Sequence, residues 1–152
     1  MKSILHFSTL SILSIFFLVS CTKVAVVIPQ SPITGSWRIT ASAEGDSYGW
    51  TSFSTGLETG VFTMYENGSA TYDEANITMQ GSWSITTVSG GYFDEYGSYY
   101  NGAHNQLRLH LSDAYTHSSI DLNFDNVTFY NGHFTATYFN GSLIERYTFS
   151  RY

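Results

Sequence analysis

Apolar and polar side chains alternate strictly in Leu107-Arg108-Leu109-His110-Leu111. This pattern is typical of a β-strand with one buried face and one wet face, because successive side chains of a strand point to opposite sides. The same pattern extends over the sequence after position 33, where apolar residues recur every second position and Thr, Tyr, Phe, Val and Ser are abundant. The sequence therefore predicts an all-β domain.

Asparagine-glycine pairs separate several of the alternating runs. Asn67-Gly68, Asn131-Gly132 and Asn140-Gly141 suit type I′ hairpins, which need two positive φ angles, so consecutive strands should be neighbours. About eight strands are predicted, at residues 35–42, 59–66, 69–74, 79–88, 105–112, 118–130, 133–139 and 143–151. Such a meander closes into a single antiparallel up-and-down β-barrel. The alternative is an open two-sheet β-sandwich of about nine strands.

The apolar positions change parity between Phe124 and Val127. Either a β-bulge or a tight turn at Asp125-Asn126 explains the change, and the bulge is favoured. With a bulge, the connection 43–58 lies at one end of the barrel and the connection 89–104 at the other. The side chains expected to cover the mouth are Tyr48, Trp50 and Phe53.

Residues 1–20 have the layout of an export signal peptide. Lys2 precedes an apolar run, 4–19, that ends at a small residue before Cys21. Leu18-Val19-Ser20-Cys21 resembles the bacterial lipobox, which implies removal of the signal and acylation of Cys21. By this resemblance the cysteine carries a diacylglycerol and an amide-linked acyl chain. These three acyl chains would anchor the protein firmly, because each buried methylene contributes about 0.8 kcal/mol.

Residues 21–32 are predicted to be the lipidated cysteine and an extended tether. Cys21 is the only cysteine, so no disulfide can form within the chain. Residues 24–28 could instead add an edge strand. Thr22 stands where a retention signal would have aspartate, which by resemblance to lipoprotein sorting rules implies the outer membrane. The lack of an acidic cluster favours the periplasmic face over the cell surface.

Composition and charge narrow the class of the domain. Hydrophobic residues make up 43% and charged residues 12% of the chain, which indicates a globular protein. After residue 20 the sequence has five basic and twelve acidic side chains, a net charge of −7. This charge repels phosphate backbones, so nucleic acid is not an expected partner.

Two Gly-Ser-Trp triplets, Gly35-Ser36-Trp37 and Gly81-Ser82-Trp83, each open an alternating run. The first is similar to the glycine-x-tryptophan signature that opens lipocalins, and the second resembles their second glycine-x-aromatic strand, so the stretch from Ile33 to the end resembles bacterial lipocalin-like lipoproteins. Between them, residues 62–72 resemble the family's phenylalanine strand, turn and return strand. A long insert between Val88 and Asn105 departs from the pattern. The resemblance implies that residues 33–152 form a lipocalin-like barrel.

Two non-catalytic functions follow. The resemblance implies that the barrel binds a small apolar or amphipathic molecule; the candidate ligand-binding residues are Tyr48, Trp50, Phe53, Phe62, Met64, Trp83 and Leu109. The alternative is a filled barrel that binds a protein or glycan partner through aromatic loops. The position of the inward aromatic side chains discriminates between the two functions. Rings that meet in the middle fill a small barrel, whereas a cavity requires them at its wall.

Residues 92–100 are unusually rich in tyrosine and show no steady alternation. Tyrosine gives a large contact area at low entropic cost, so the segment could be a recognition surface. It could equally be a hairpin extension that packs on the flank of the barrel.

Catalytic groups are sparse. His104, His110 and His117 lack the close spacing of metal ligands, and the single cysteine belongs to the lipobox. We expect no enzymatic activity, no metal and no cofactor.

The two ends of the barrel domain should meet. In an eight-strand meander the last strand pairs with the first, which brings Arg151 to Trp37. Arg151 could stack on the indole and close the base of the barrel, as a similar pair does in lipocalins. A frayed end, or Arg146 in that role, is the alternative.

Replacing Cys21 with Ala should release the protein from the membrane fraction, because the variant has no thiol to acylate. Cell fractionation measures the effect. Unchanged recovery in the membrane fraction would contradict the lipoprotein prediction.

Overall fold

The computed structural model describes residues 31–46 and 48–152. The signal peptide, Cys21 and the tether up to residue 30, which includes the alternative strand at 24–28, lie outside the described residues.

Ten β-strands form the described part of the chain. They are β1 Gly35–Asp46, β2 Gly49–Ser52, β3 Val61–Met64, β4 Ser69–Glu74, β5 Ile77–Phe93, β6 Tyr99–Ser112, β7 Ser119–Phe124, β8 Asn126–Phe129, β9 His133–Phe139 and β10 Ile144–Arg151. The all-β prediction is confirmed. These described residues contain no helix with the length and hydrophobicity that a membrane crossing requires.

All ten strands belong to one antiparallel sheet. Its order is β7-β6-β5-β4-β3-β1-β10-β9-β8, with β2 attached to β1. The edges of this path are β7 and β8, which form no ladder with each other in the described sheet. The predicted closed barrel is therefore wrong. The sheet is open at this point and fits the sandwich alternative, although β6 approaches β8 across the gap.

The strand count differs from eight for two reasons. Part of the predicted connection 43–58 forms β2, which pairs with the end of β1. The predicted strand 118–130 is divided at Asp125, because β7 pairs with β6 whereas β8 pairs with β9. The backbone N–H of Asp125 donates to the Thr137 carbonyl (2.8 Å), and its carboxylate accepts the Phe139 N–H (3.0 Å). The parity change thus marks a bend at which the strand exchanges partners, and not a hairpin turn.

The Asn-Gly pairs lie in hairpin connections, but they are not type I′ turns. Gly68, Gly132 and Gly141 have positive φ, whereas neither Asn67 nor its counterparts do. At the first of these turns the Gly68 N–H donates to the Tyr65 carbonyl (3.0 Å), and Tyr65 then pairs with Ser69. This is a tight turn followed by a left-handed glycine, the usual three-residue hairpin geometry.

The inward side chains meet in one aromatic core. Phe149 on β10 stacks on Phe134 (ring centroids 4.5 Å apart) and contacts Phe62 (5.8 Å) and Phe124 (6.0 Å). Phe124 belongs to β7, which is not a neighbour of β10 in the sheet. The contacts therefore cross the interior, and the sheet curls around a packed centre.

At one end of this core, the chain beyond β2 folds inward. Phe53 lies edge-on to Tyr147 (5.8 Å), and the Ser42 hydroxyl donates to the Phe53 carbonyl (2.5 Å). Phe53 and Leu57 pack against the core from this side. Of the three side chains predicted to cover the mouth of a barrel, Phe53 packs against this end of the core, whereas Tyr48 is almost fully exposed.

At the opposite end, Arg151 lies directly over Trp37. The guanidinium carbon is 4.6 Å from the ring centroid, and the two residues are register partners. Arg151 also donates to the Thr34 carbonyl (3.2 Å), while the indole N–H donates to the Ile33 carbonyl (2.6 Å). Gly35 has a φ of +128°, and a Cβ there would collide with Arg151. A glycine is therefore required beneath the guanidinium.

The Trp37–Arg151 contact should stabilise the fold by about 0.5–2 kcal/mol, because the ring is only 2% exposed. A double-mutant cycle with Trp37→Phe and Arg151→Met, followed by urea unfolding, measures this coupling. The control is Arg38→Met with Tyr152→Leu, since Arg38 lies over the exposed Tyr152 ring (4.4 Å). A coupling indistinguishable from zero at Trp37–Arg151 would contradict the prediction.

Candidate functional site

The most distinctive feature of the described chain is a long hairpin formed by the ends of β5 and β6. We call residues 86–106 the arm. The β6–β7 ladder ends at the Leu107–Phe124 pair, and beyond it β5 and β6 continue as a two-stranded ribbon to Phe93–Tyr99. The predicted connection 89–104 is therefore mostly strand.

Aromatic pairs hold the two strands of the arm together. Tyr92 stacks on Tyr100 (5.9 Å) and on His104 (4.4 Å), and Phe93 lies edge-on to Tyr99 (5.3 Å). Such cross-strand pairs stabilise a ribbon that has few other neighbours. A Cβ at Gly91 would collide with the Tyr99 ring, so a larger residue there would displace this ring from its present position.

The tip of the arm is a turn built on Asp94. Its carboxylate accepts the N–H groups of Tyr96 (2.9 Å) and Ser98 (2.8 Å), and Gly97 has a φ of +84°. Residues 92–100 are thus the tip of a hairpin extension, one of the two structures expected for this segment.

The arm packs on the outer face of β9 and β10. Glu95, only 7% exposed, accepts hydrogen bonds through its carboxylate from Thr135 (3.0 Å) and from the Tyr130 hydroxyl. Its backbone carbonyl accepts Arg146 Nη1 (2.7 Å). Thr137 donates to the Phe93 carbonyl (2.8 Å). These hydrogen bonds anchor the tip to side chains that would otherwise face solvent.

Glu95 also changes the acidity of its partner. The hydrogen bond to Glu95 raises the pKa of the Tyr130 hydroxyl to about 12, and burial and the negative charge act in the same direction. This pKa lies above the ordinary 10.0. The contribution of the Tyr130–Glu95 hydrogen bond to folding stability is therefore complete below pH 10, and it falls as the pH rises through 12.

Two clefts flank the arm. The polar cleft, about 410 Å³, lies between the tip and the outer face of the sheet. It is lined by Ala41, Ser42, Ala43, Ser52, Glu95, Tyr96, Tyr130, His133, Thr135, Arg146 and Thr148. The aromatic cleft, about 460 Å³, is lined by Gly91, Tyr92, Phe93, Tyr99, Gln106, Asp125, Thr137 and Phe139. Both volumes lie in the range of small-molecule sites.

The structure does not gather the predicted ligand-binding residues into one pocket. Phe62, Met64 and Leu109 are buried in the core, and Phe53 and Trp83 pack against it. Trp83 also donates to the Tyr65 carbonyl (2.9 Å). Tyr48 is exposed, and Trp50 lies beneath the Arg146 guanidinium (4.3 Å).

The histidines are separated in space. His104 is buried against Tyr92, His110 is exposed and bonds to Asp121, and His117 lies in an exposed turn. Within residues 31–46 and 48–152, no three His, Cys, Asp or Glu side chains come together in a way that could hold a metal ion.

Sequence reasoning missed the residues that position the arm: Glu95, Tyr130, Thr135 and Arg146. They lie on three separate segments, and only the folded sheet brings them together. One feature of the sequence does point to this face of the sheet. Ala41 and Ala43 occupy outward positions of β1, because their register partners Thr148 and Arg146 face outward, and small side chains there leave a recess in that face.

Comparison of the chain with protein-family models, with curated proteins and with solved structures gave no match in any of the three.

Replacing Glu95 with Ala should detach the arm without unfolding the core. The hydroxyls of Tyr130 and Thr135 lose a buried acceptor, which costs about 1–3 kcal/mol. Hydrogen exchange of amides in residues 86–106 should accelerate, while exchange around Phe149 stays slow. Glu66→Ala, in an exposed turn, is the matched control. Unchanged exchange in the arm would contradict the role of Glu95.

Proposed function

We propose that this chain is a non-catalytic outer-membrane lipoprotein that binds a protein or glycan partner through its arm. The observation that carries the proposal is the packed interior. Aromatic contacts link Phe62, Phe149 and Phe124 across the centre, so the largest side chains occupy the space that an internal ligand would need. Recognition is then a task for the outer surface.

The surface of the arm supports this proposal. Tyr96, Tyr99 and Tyr100 are exposed on it, and Tyr130 is exposed beside it. Tyrosines held on a rigid ribbon give large contact areas with little loss of side-chain freedom on binding. Anchoring by Glu95 orders the ribbon before a partner arrives, which lowers the entropic cost of binding.

The N-terminal sequence supports the location. The lipobox at Cys21 and the tether would hold the domain at the periplasmic face of the outer membrane, with the cell surface as the alternative. The resemblance to bacterial lipocalin-like lipoproteins belongs to the same proposal. The net negative charge argues against nucleic acid as a partner.

Site-specific photo-crosslinking in cells tests the proposal. A photoreactive phenylalanine derivative replaces Tyr96 in the full-length protein, and the same derivative at Tyr115, which is 95% exposed in a separate loop, is the control. We expect a discrete adduct with a protein or a glycan at Tyr96 and none at Tyr115. Equal labelling at both positions, or none at either, would contradict recognition through the arm.

The aromatic cleft favours a second candidate, binding of a small apolar or amphipathic molecule. Phe93 and Phe139 lie 4.8 Å apart at its wall, and Gln106 and Asp125 supply polar groups. An apolar site with a few polar groups is the usual form of a small-molecule pocket. The ligand would then lie under the arm and not inside the sheet.

Native mass spectrometry of the full-length protein, purified in mild detergent, tests this second candidate. We expect a mass additional to that of the acylated chain. Gln106→Trp, which narrows the cleft, should remove it. The absence of any additional mass from the unaltered protein would rule against a retained small ligand.

A further inference from the structure

We infer that the polar cleft is a binding site for a neutral saccharide unit. This inference rests on the proposed function and names its ligand class. Three properties of the cleft carry it: a floor of small side chains, fixed hydrogen-bonding groups beside exposed tyrosines, and opposite charges that balance.

The floor of the cleft is the outer face of the sheet. Ala41 and Ala43 leave room above β1, and Thr135 and Thr148 line the neighbouring strands. The backbone groups of this floor are already paired in the β1–β10 and β10–β9 ladders. An extended peptide therefore cannot add a strand here, and a ligand must bind through side chains.

The Arg146 guanidinium of the cleft is held in place before binding. Arg146 lies over Trp50 (4.3 Å) and donates one hydrogen bond to the Glu95 carbonyl (2.7 Å). A guanidinium has five N–H donors, so most of them remain for a ligand. Ser52 and Thr148 add hydroxyls, which both donate and accept. Sugar hydroxyls also donate and accept, so they match this mixed set.

Aromatic side chains border the same space. Tyr96 is 69% exposed at the tip of the arm, and Tyr130 is stacked on His133 with ring planes 10° apart. The faces of these rings are electron-rich and attract weakly positive C–H groups. A pyranose ring presents C–H groups on its faces and hydroxyls around its edge, so it fits a cleft that combines both kinds of surface.

The charge of the cleft selects a neutral ligand. Arg146 and Glu95 carry opposite formal charges, so the two side chains balance each other in the cleft. The protein as a whole is acidic and repels anions. A uronic acid would bring a second carboxylate close to Glu95, which is unfavourable because like charges repel.

The test is binding of the full-length protein, in detergent, to an array of neutral and acidic glycans. We expect binding to neutral glycans, and a loss of about tenfold for Tyr96→Ala, which removes an aromatic contact. Ser52→Trp, which places a large ring at an exposed position in the cleft, should reduce binding at least as much. Tyr115→Ala is the control and should bind as the unaltered protein does.

The outcomes separate this inference from the proposed function. Binding of acidic glycans alone, or an equal loss in Tyr115→Ala, overturns the neutral saccharide site. An array without any bound glycan also overturns it, and a protein adduct at Tyr96 in the photo-crosslinking experiment would then leave the proposed function intact. An array without binding together with no adduct at Tyr96 overturns both.

Discussion

The exchange of strand partners at Asp125 is the constraint on which the rest of the structure depends. β7 stays with β6 only as far as Phe124, and β8 then pairs with β9. The part of β6 that precedes Leu107, back to its first residue Tyr99, has only β5 as a ladder partner. The two strands therefore leave the sheet as a ribbon. A ribbon of this length is marginal alone, because it has too little core of its own. It becomes ordered by packing on the outer face of β9 and β10, and that packing creates both clefts.

Packing of the interior determines where a ligand can bind. The described domain has no cysteine, so its stability depends on burial of apolar surface and not on a cross-link. Phe149 and its aromatic neighbours supply this burial, and by doing so they occupy the centre of the curled sheet. A fold that used the same interior for a ligand would have to sacrifice these contacts, because a cavity costs free energy in proportion to its volume. Binding on the outer surface avoids that cost.

Much of the sheet could be predicted from the sequence, because a period of two is a local property. The alternation of apolar and polar residues around Trp37, Leu109 and Phe149 indicates which side chains are buried. The glycines at 68, 132 and 141 indicate the turns. Partner exchange is not local. The parity change at Asp125 was visible, but it does not show which strand receives the second half. The barrel prediction was wrong because a meander of neighbouring strands does not specify how its two edges meet.

The arm could not be predicted for a related physical reason. Outward positions of β9 and β10 carry Thr135, Thr137 and Arg146, which resemble any solvent-facing strand side. They contact the arm through hydrogen bonds, and a residue that makes such a bond has the same identity as one that bonds to water. The tyrosines of residues 92–100 were equally ambiguous, because a cross-strand pair and a displayed ring use the same residue type. Within the ribbon, Tyr92 packs inward on His104 whereas Tyr96 points to solvent.

The arm and the core are held by different forces, so the free energy needed to open the arm differs from the free energy of unfolding the core. The core is apolar and its contacts cross the whole interior, so it opens only when the domain unfolds. The tip of the arm is held by hydrogen bonds to Glu95 and Phe93 and by the Phe93–Phe139 contact. A hydrogen bond between neutral groups contributes about 0.5–1.5 kcal/mol net, and one to a charged group about 1.5–3 kcal/mol, since water competes for the same groups. Opening of the arm therefore costs less than unfolding, and a ligand that contacts both Tyr96 and the floor of the polar cleft would favour the closed arrangement in proportion to its affinity.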